Sequence, residues 1–152
     1  MKTALRSIYS ILALLLITAQ VAMAGAPRSA EPRYRQSLVY LLDARYYLEH
    51  TDKTRAGGVD LRPALSNLYS AIGALDNVVG TSVARSQTTV IPPRIASESA
   101  MLHHVIYELV AVDQLLGPGE RNPTVNVYRA TALTHDRAAA GDVRYMIRAC
   151  KC

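Results

Sequence analysis

Six apolar residues, Leu61, Leu65, Leu68, Ile72, Leu75 and Val79, recur at alternating spacings of four and three. A helix that turns every 3.6 residues gathers all of them on one side, whereas a strand would divide them between two faces. Such a helix is stable only with that side buried, so its partners decide the fold. Asp60 stands before the stripe as a cap, and Gly80 follows it as a stop. Strand signals are nearly absent. Thr88-Thr89-Val90-Ile91 is β-prone, but Pro92-Pro93 follows it directly.

Three other segments repeat the helical pattern. From Ala30 to Thr51, with Ser29 as cap and Pro32 in the first turn, Tyr34, Leu38, Leu41, Leu42 and Leu48 mark one side. After Pro92-Pro93 the stripe runs Ile95, Leu102, Val105, Ile106, Leu109, Val112, Leu116 and stops at Gly117-Pro118-Gly119. A fourth helix starts after Asn122-Pro123 with a weaker stripe: Val125, Tyr128, Ala132, His135, Ala139, Val143, Met146 and Cys150. Gly141 inside it costs about 1 kcal/mol relative to Ala and marks either a kink or close packing. The expected fold is all-α, an up-down-up-down four-helix bundle. Links near 52–59, 81–93 and 117–122 would then make each helix antiparallel to the one before it.

A chain of 152 residues, half of them apolar and 19% charged, folds as one domain with a real core. That domain is expected over residues 25–152, because residues 1–24 read as a signal peptide. Lys2 and Arg6 give a positive start, Ile11 to Ile17 an apolar centre, and Ala22-Met23-Ala24 a small-x-small cleavage site. The apolar centre falls short of the roughly 20 residues that span a bilayer. No cysteine follows it to carry a lipid. The expectation is a periplasmic or secreted protein with no stable membrane anchor after cleavage. The net charge of +5 drops when Lys2 and Arg6 leave with the signal. The remaining surplus is too small and scattered for a nucleic-acid surface.

Enzyme signatures are missing: no Gly-x-Ser-x-Gly, phosphate loop, His-Glu-x-x-His or Cys-x-x-Cys-His occurs. Paired Glu-x-x-His motifs of di-iron bundles are missing too. No catalytic residues are therefore assigned. Two features point instead to protein contacts. The side of the second helix opposite its stripe reads Ser66, Asn67, Ser70, Gly73, Ala74 and Asn77, where exposed helices normally carry Lys and Glu. Every aromatic residue is Tyr, and Tyr40 and Tyr47 lie seven apart and off the leucine stripe of the first helix. Ser66, Ser70, Gly73, Asn77, Tyr40 and Tyr47 are thus candidate interface residues.

Two groups could hold metal. If the third and fourth helices pair around residues 117–122, His135 approaches His104 and Glu108, a set able to ligate zinc with an open position for water. The same three could satisfy one another as buried polar groups, with Arg45 beside them. His135 and Asp136 are adjacent, but neighbours on a helix diverge by about 100°, so they form no dyad. Cys150-Lys151-Cys152 closes the chain. It offers a tight disulfide, a bridge to a second chain, or, with Met146 one turn earlier, soft ligands for copper. Redox catalysis is disfavoured, because the end of a helix destabilises a thiolate. The functional expectation is an exported, non-enzymatic helical protein without a cofactor, binding another protein or itself as a homodimer. It could serve as an assembly factor, chaperone-like component or toxin inhibitor. The alternative is metal or redox stress handling with zinc or copper.

Overall fold

The computed structural model describes residues 32–51, 60–80, 95 and 97–150. Among them the chain forms four helices and no strand: α1 (Pro32–Glu49), α2 (Arg62–Val79), α3 (Glu98–Leu116) and α4 (Pro123–Cys150). The expected signal peptide, the Ser29 cap, the Thr88–Ile91 run, Pro92-Pro93 and Cys152 lie outside the described residues. No described helix is long and apolar enough to cross a membrane.

Local chemistry sets the helix ends. Asp60 Oδ1 accepts the Arg62 backbone N–H at 3.0 Å, and Pro63 occupies the first turn of α2, where its missing N–H is harmless. Gly80 ends α2 with φ of +93°, a conformation that a residue with Cβ rarely adopts. α3 begins later than its apolar pattern does, at Glu98, because the Ser97 hydroxyl accepts the Ala100 N–H at 3.2 Å. Asn122 caps α4 by accepting from Thr124 and Val125. That helix then continues to Cys150, and Gly141 is exposed with open space where a Cβ would sit. Close packing therefore does not account for Gly141.

The stripes become the core. Tyr34, Leu38, Leu41 and Leu48 of α1 are buried with Leu61, Leu68, Ile72, Leu75 and Val79, with Leu102, Val105, Leu109, Val112 and Leu116 of α3, and with Val125, Ala132, Ala139, Val143 and Met146 of α4. Small residues widen the buried arc of α2, where Ala64, Ala71 and Ala74 are covered as well. α2 needs that width because it packs against two helices, α1 and α4.

The order of packing differs from the one expected. α1 packs on α2 and α3, and α4 packs on α3 and α2, while the backbones of the consecutive helices α2 and α3 stay apart across the core. α1 and α3 run antiparallel. Arg33 and Tyr34 at the start of α1 bond Glu120 just past α3, whereas Tyr47 near its end packs on His104 near the start of α3. An up-down-up-down bundle would make the first and third helices parallel, so that topology is corrected here. α3 and α4 are antiparallel as expected, with Arg129 donating to the Leu116 carbonyl and Arg137 pairing with Asp113. The cause is link length. Residues 117–122 can only reverse the chain, whereas residues 80–97 are long enough to cross an 18-residue helix of about 27 Å.

Candidate functional site

The outward side of α2 is the part of the surface that the sequence singled out, and Ser66, Ser70, Gly73 and Asn77 all stand exposed on it. Their polar groups turn back onto their own helix. Ser70 Oγ donates to the Ser66 carbonyl at 3.0 Å, and Asn77 Nδ2 to the Gly73 carbonyl at 2.8 Å. With these two donors turned inward, part of the cost of dehydrating the face is already met. Tyr69, 51% exposed, adds an aromatic ring beside it; its hydroxyl donates to Glu49 and the Arg45 guanidinium lies 5.6 Å from the ring centre. From Pro63 to Asn77 the fully exposed residues of α2 carry no charge, and the one carboxylate of that stretch, Asp76, is half-buried in line with Tyr69. Arg62, Leu65, Ser66, Tyr69 and Ser70 line a shallow concavity of about 580 Å³ at one end of this face.

The two tyrosines assigned to an interface are placed differently. Tyr47 is 2% exposed and packs edge-on against His104 with ring centres 4.8 Å apart. Tyr40 is half-buried against the core, with its hydroxyl accepting from Gln36. Contact with both α2 and α3 makes the buried arc of α1 wider than its leucine stripe, and this draws Tyr47 inward. Sequence reasoning missed a second uncharged strip. Ala100, His103, Tyr107, Val110 and Gln114 are exposed along α3 at spacings of three and four, with Tyr107 exposed by 67%. The same spacing, offset from the buried stripe, was the available signal.

His104, Glu108 and His135 do not converge. His104 Nε2 lies 3.1 Å from Glu108 Oε1 on the seam between α1 and α3. Burial, then the nearby Asp43, pushes the Glu108 carboxyl up to about 7. Burial also raises Asp43, which His104 opposes, and raises the Tyr47 hydroxyl, with Asp43 and Glu108 adding to the effect. His135 instead faces α2. Its Nδ1 is 3.0 Å from Asn67 Oδ1, and Asn67 Nδ2 donates to Asp142 at 3.1 Å, so the three side chains clasp α2 to α4. Arg45 is drawn to Glu49 and Tyr69 rather than to the histidines. Among the described residues no three His, Cys, Asp or Glu side chains are arranged to hold a metal ion.

The neighbour of His135 behaves differently. Asp136 turns toward α3 and is 1% exposed, and neither carboxyl oxygen has a hydrogen-bond partner among the described residues. Burial first, then Asp113, pushes it up to about 8, against the opposing pull of Arg137 and Arg144. The 100° step along the helix thus sends His135 to α2 and Asp136 to α3, as the absence of a dyad requires. At the C-terminal end Met146 is buried and Cys150 is half-buried against the core. Cys152 lies beyond the described residues, so the Cys150–Cys152 set is not placed. No family model, curated protein or solved structure matches this chain.

Proposed function

We propose that this chain is an exported, non-enzymatic helical protein that acts by binding another protein, or a second copy of itself, through the outward side of α2. The observation that carries the reading is the uncharged run of exposed residues from Pro63 through Ser66, Tyr69, Ser70 and Gly73 to Asn77. A solvated helix face normally bears Lys and Glu. A face whose exposed residues carry no charge, with Ser70 and Asn77 donating to their own helix and a small residue at Gly73, lets a partner helix approach closely. Tyr69 at its edge is the kind of rigid aromatic that anchors an interface. Export rests on the signal-like residues 1–24, and the Cys150–Lys151–Cys152 ending suits an oxidising compartment.

Pull-down of the tagged mature protein from its native extract tests this, with quantitative mass spectrometry of wild type, Ser70→Arg and Gly73→Arg. A near-stoichiometric partner, or self-association, should be lost in both variants while far-UV circular dichroism stays unchanged. Partner recovery equal to wild type in both would overturn the assignment of the face. Tyr107→Glu serves as comparator: loss of binding there alone would move the interface to the exposed strip of α3.

A further inference from the structure

Between α3 and α4 lies a cavity of about 210 Å³, lined by Leu109, Val110 and Asp113 from one helix and Asp136, Ala140 and Arg144 from the other. Its floor is polar in an unusual way. Asp136 is almost fully buried, yet both carboxyl oxygens lack a hydrogen-bond partner, where buried polar atoms are nearly always paired. The charged groups facing it are Asp113 from α3 and Arg137 and Arg144 from its own helix. Arg137 is committed to Asp113 across the cleft. Arg144 is exposed and has no ion pair or hydrogen bond among the described residues.

Burial keeps the Asp136 proton in place to about pH 8. At neutral pH the cleft then presents a carboxylic acid that can donate, one guanidinium surplus to the Asp113–Arg137 pair, and an apolar wall of Leu109, Val110 and Ala140. The complement is a small anion with an apolar tail. At about 30 Å³ per water-sized group the cavity holds roughly seven heavy atoms. That matches a carboxylate on a chain of about four or five carbons.

We propose that the α3–α4 cleft is a binding site for a short-chain carboxylate, with Arg144 pairing its charge and the Asp136 carboxyl hydrogen-bonding one of its oxygens. The site is independent of the α2 surface. Its floor, at Asp136, is closed to bulk water, and Arg144 on the rim has no hydrogen bond or ion pair among the described residues to give up on meeting a ligand. A cationic ligand would meet the guanidinium of Arg144 at the entrance. A doubly charged anion would leave one charge without a counter-charge.

Titration of the full chain with valerate at about pH 6, followed by calorimetry and by amide NMR shifts, tests the assignment. Saturable 1:1 binding is expected, with shifts centred on Asp113, Ala140 and Arg144. Arg144→Gln should weaken it at least about tenfold, while Arg148→Gln, on an exposed residue of the same helix, should change it by less than about twofold. Affinity in the wild type should fall at about pH 9, where Asp136 ionises and repels the ligand. Asp136→Asn keeps a donor at that position, so it should bind valerate within about threefold of wild type and lose this alkaline weakening. Far-UV circular dichroism of the same pH 9 samples separates repulsion of the ligand from alkaline unfolding of the wild type: affinity must fall while the helical signal is intact. Absence of saturable binding up to about 10 mM, binding unchanged in Arg144→Gln, or preference for butylammonium over valerate would each overturn the proposal.

Discussion

Raising the pH from about 5 to about 9 should strip several kcal/mol from this fold through one side chain, Asp136. The carboxyl is shut away from water between α3 and α4 with no donor to steady a negative charge, and its pKa rises from 3.8 to about 8. The folded state therefore holds its proton across a range in which the unfolded chain has lost it. Stability is complete below about pH 4 and drains away as the pH climbs toward 8. Each pH unit between the two values is worth about 1.4 kcal/mol, so the full loss is about 6 kcal/mol. A domain of this size holds about 5–15 kcal/mol in all, which makes one ionisation comparable to its whole margin. Urea denaturation followed by far-UV circular dichroism at about pH 5, 7 and 9 measures the loss directly. Asp136→Asn, which resembles the protonated acid and cannot ionise, should lie within about 1 kcal/mol of wild type at pH 5. At pH 9 it should exceed wild type by about 3–5 kcal/mol. Parallel stability profiles for the two proteins across that range would refute the account of the buried acid.

Three further outcomes are expected. Glu108→Gln should remove a second, smaller alkaline loss, since burial lifts the folded-state pKa from the ordinary 4.5 to about 7 and makes that stability drain between about pH 4.5 and 7; the slope of unfolding free energy against pH reads it. Gly141→Ala fills open, exposed space in the middle of α4 and should stabilise by about 0.5–1 kcal/mol in the same urea assay, whereas destabilisation would mean that the glycine serves an unseen contact. Glu120 accepts hydrogen bonds from the Asn122 N–H, the Tyr34 hydroxyl and Arg33, which draw it down to about 2, so its contribution is present above about pH 4.5 and lost as the pH falls toward 2. Thermal unfolding of Glu120→Gln should show a shallower acid-side fall than wild type.

The helices, and the centre of the side that each one buries, are legible in the spacing of apolar residues. Leu61, Leu68, Ile72, Leu75 and Val79, and likewise Leu102, Val105, Leu109, Val112 and Leu116, are all in the core, because the spacing of apolar residues against a fixed helical turn is a local property of the chain. Ser66, Ser70, Gly73 and Asn77 of the outward side of α2 were equally legible, whereas Ala74, read on the same side, is buried and Asn67 turns to α4. Glu108 could be placed inside and His103 outside on the same wheel. Which helices meet is a matter of tertiary packing. α2 and α3 sit apart and α1 runs against α3, and neither result is written in the period of any single segment. With that arrangement came the clasp of His135 to Asn67, the inward turn of Tyr47, and the buried, unpaired carboxyl of Asp136. Each depends on what a second helix brings to within a few ångströms, a relation between distant parts of the chain that a one-dimensional pattern does not carry.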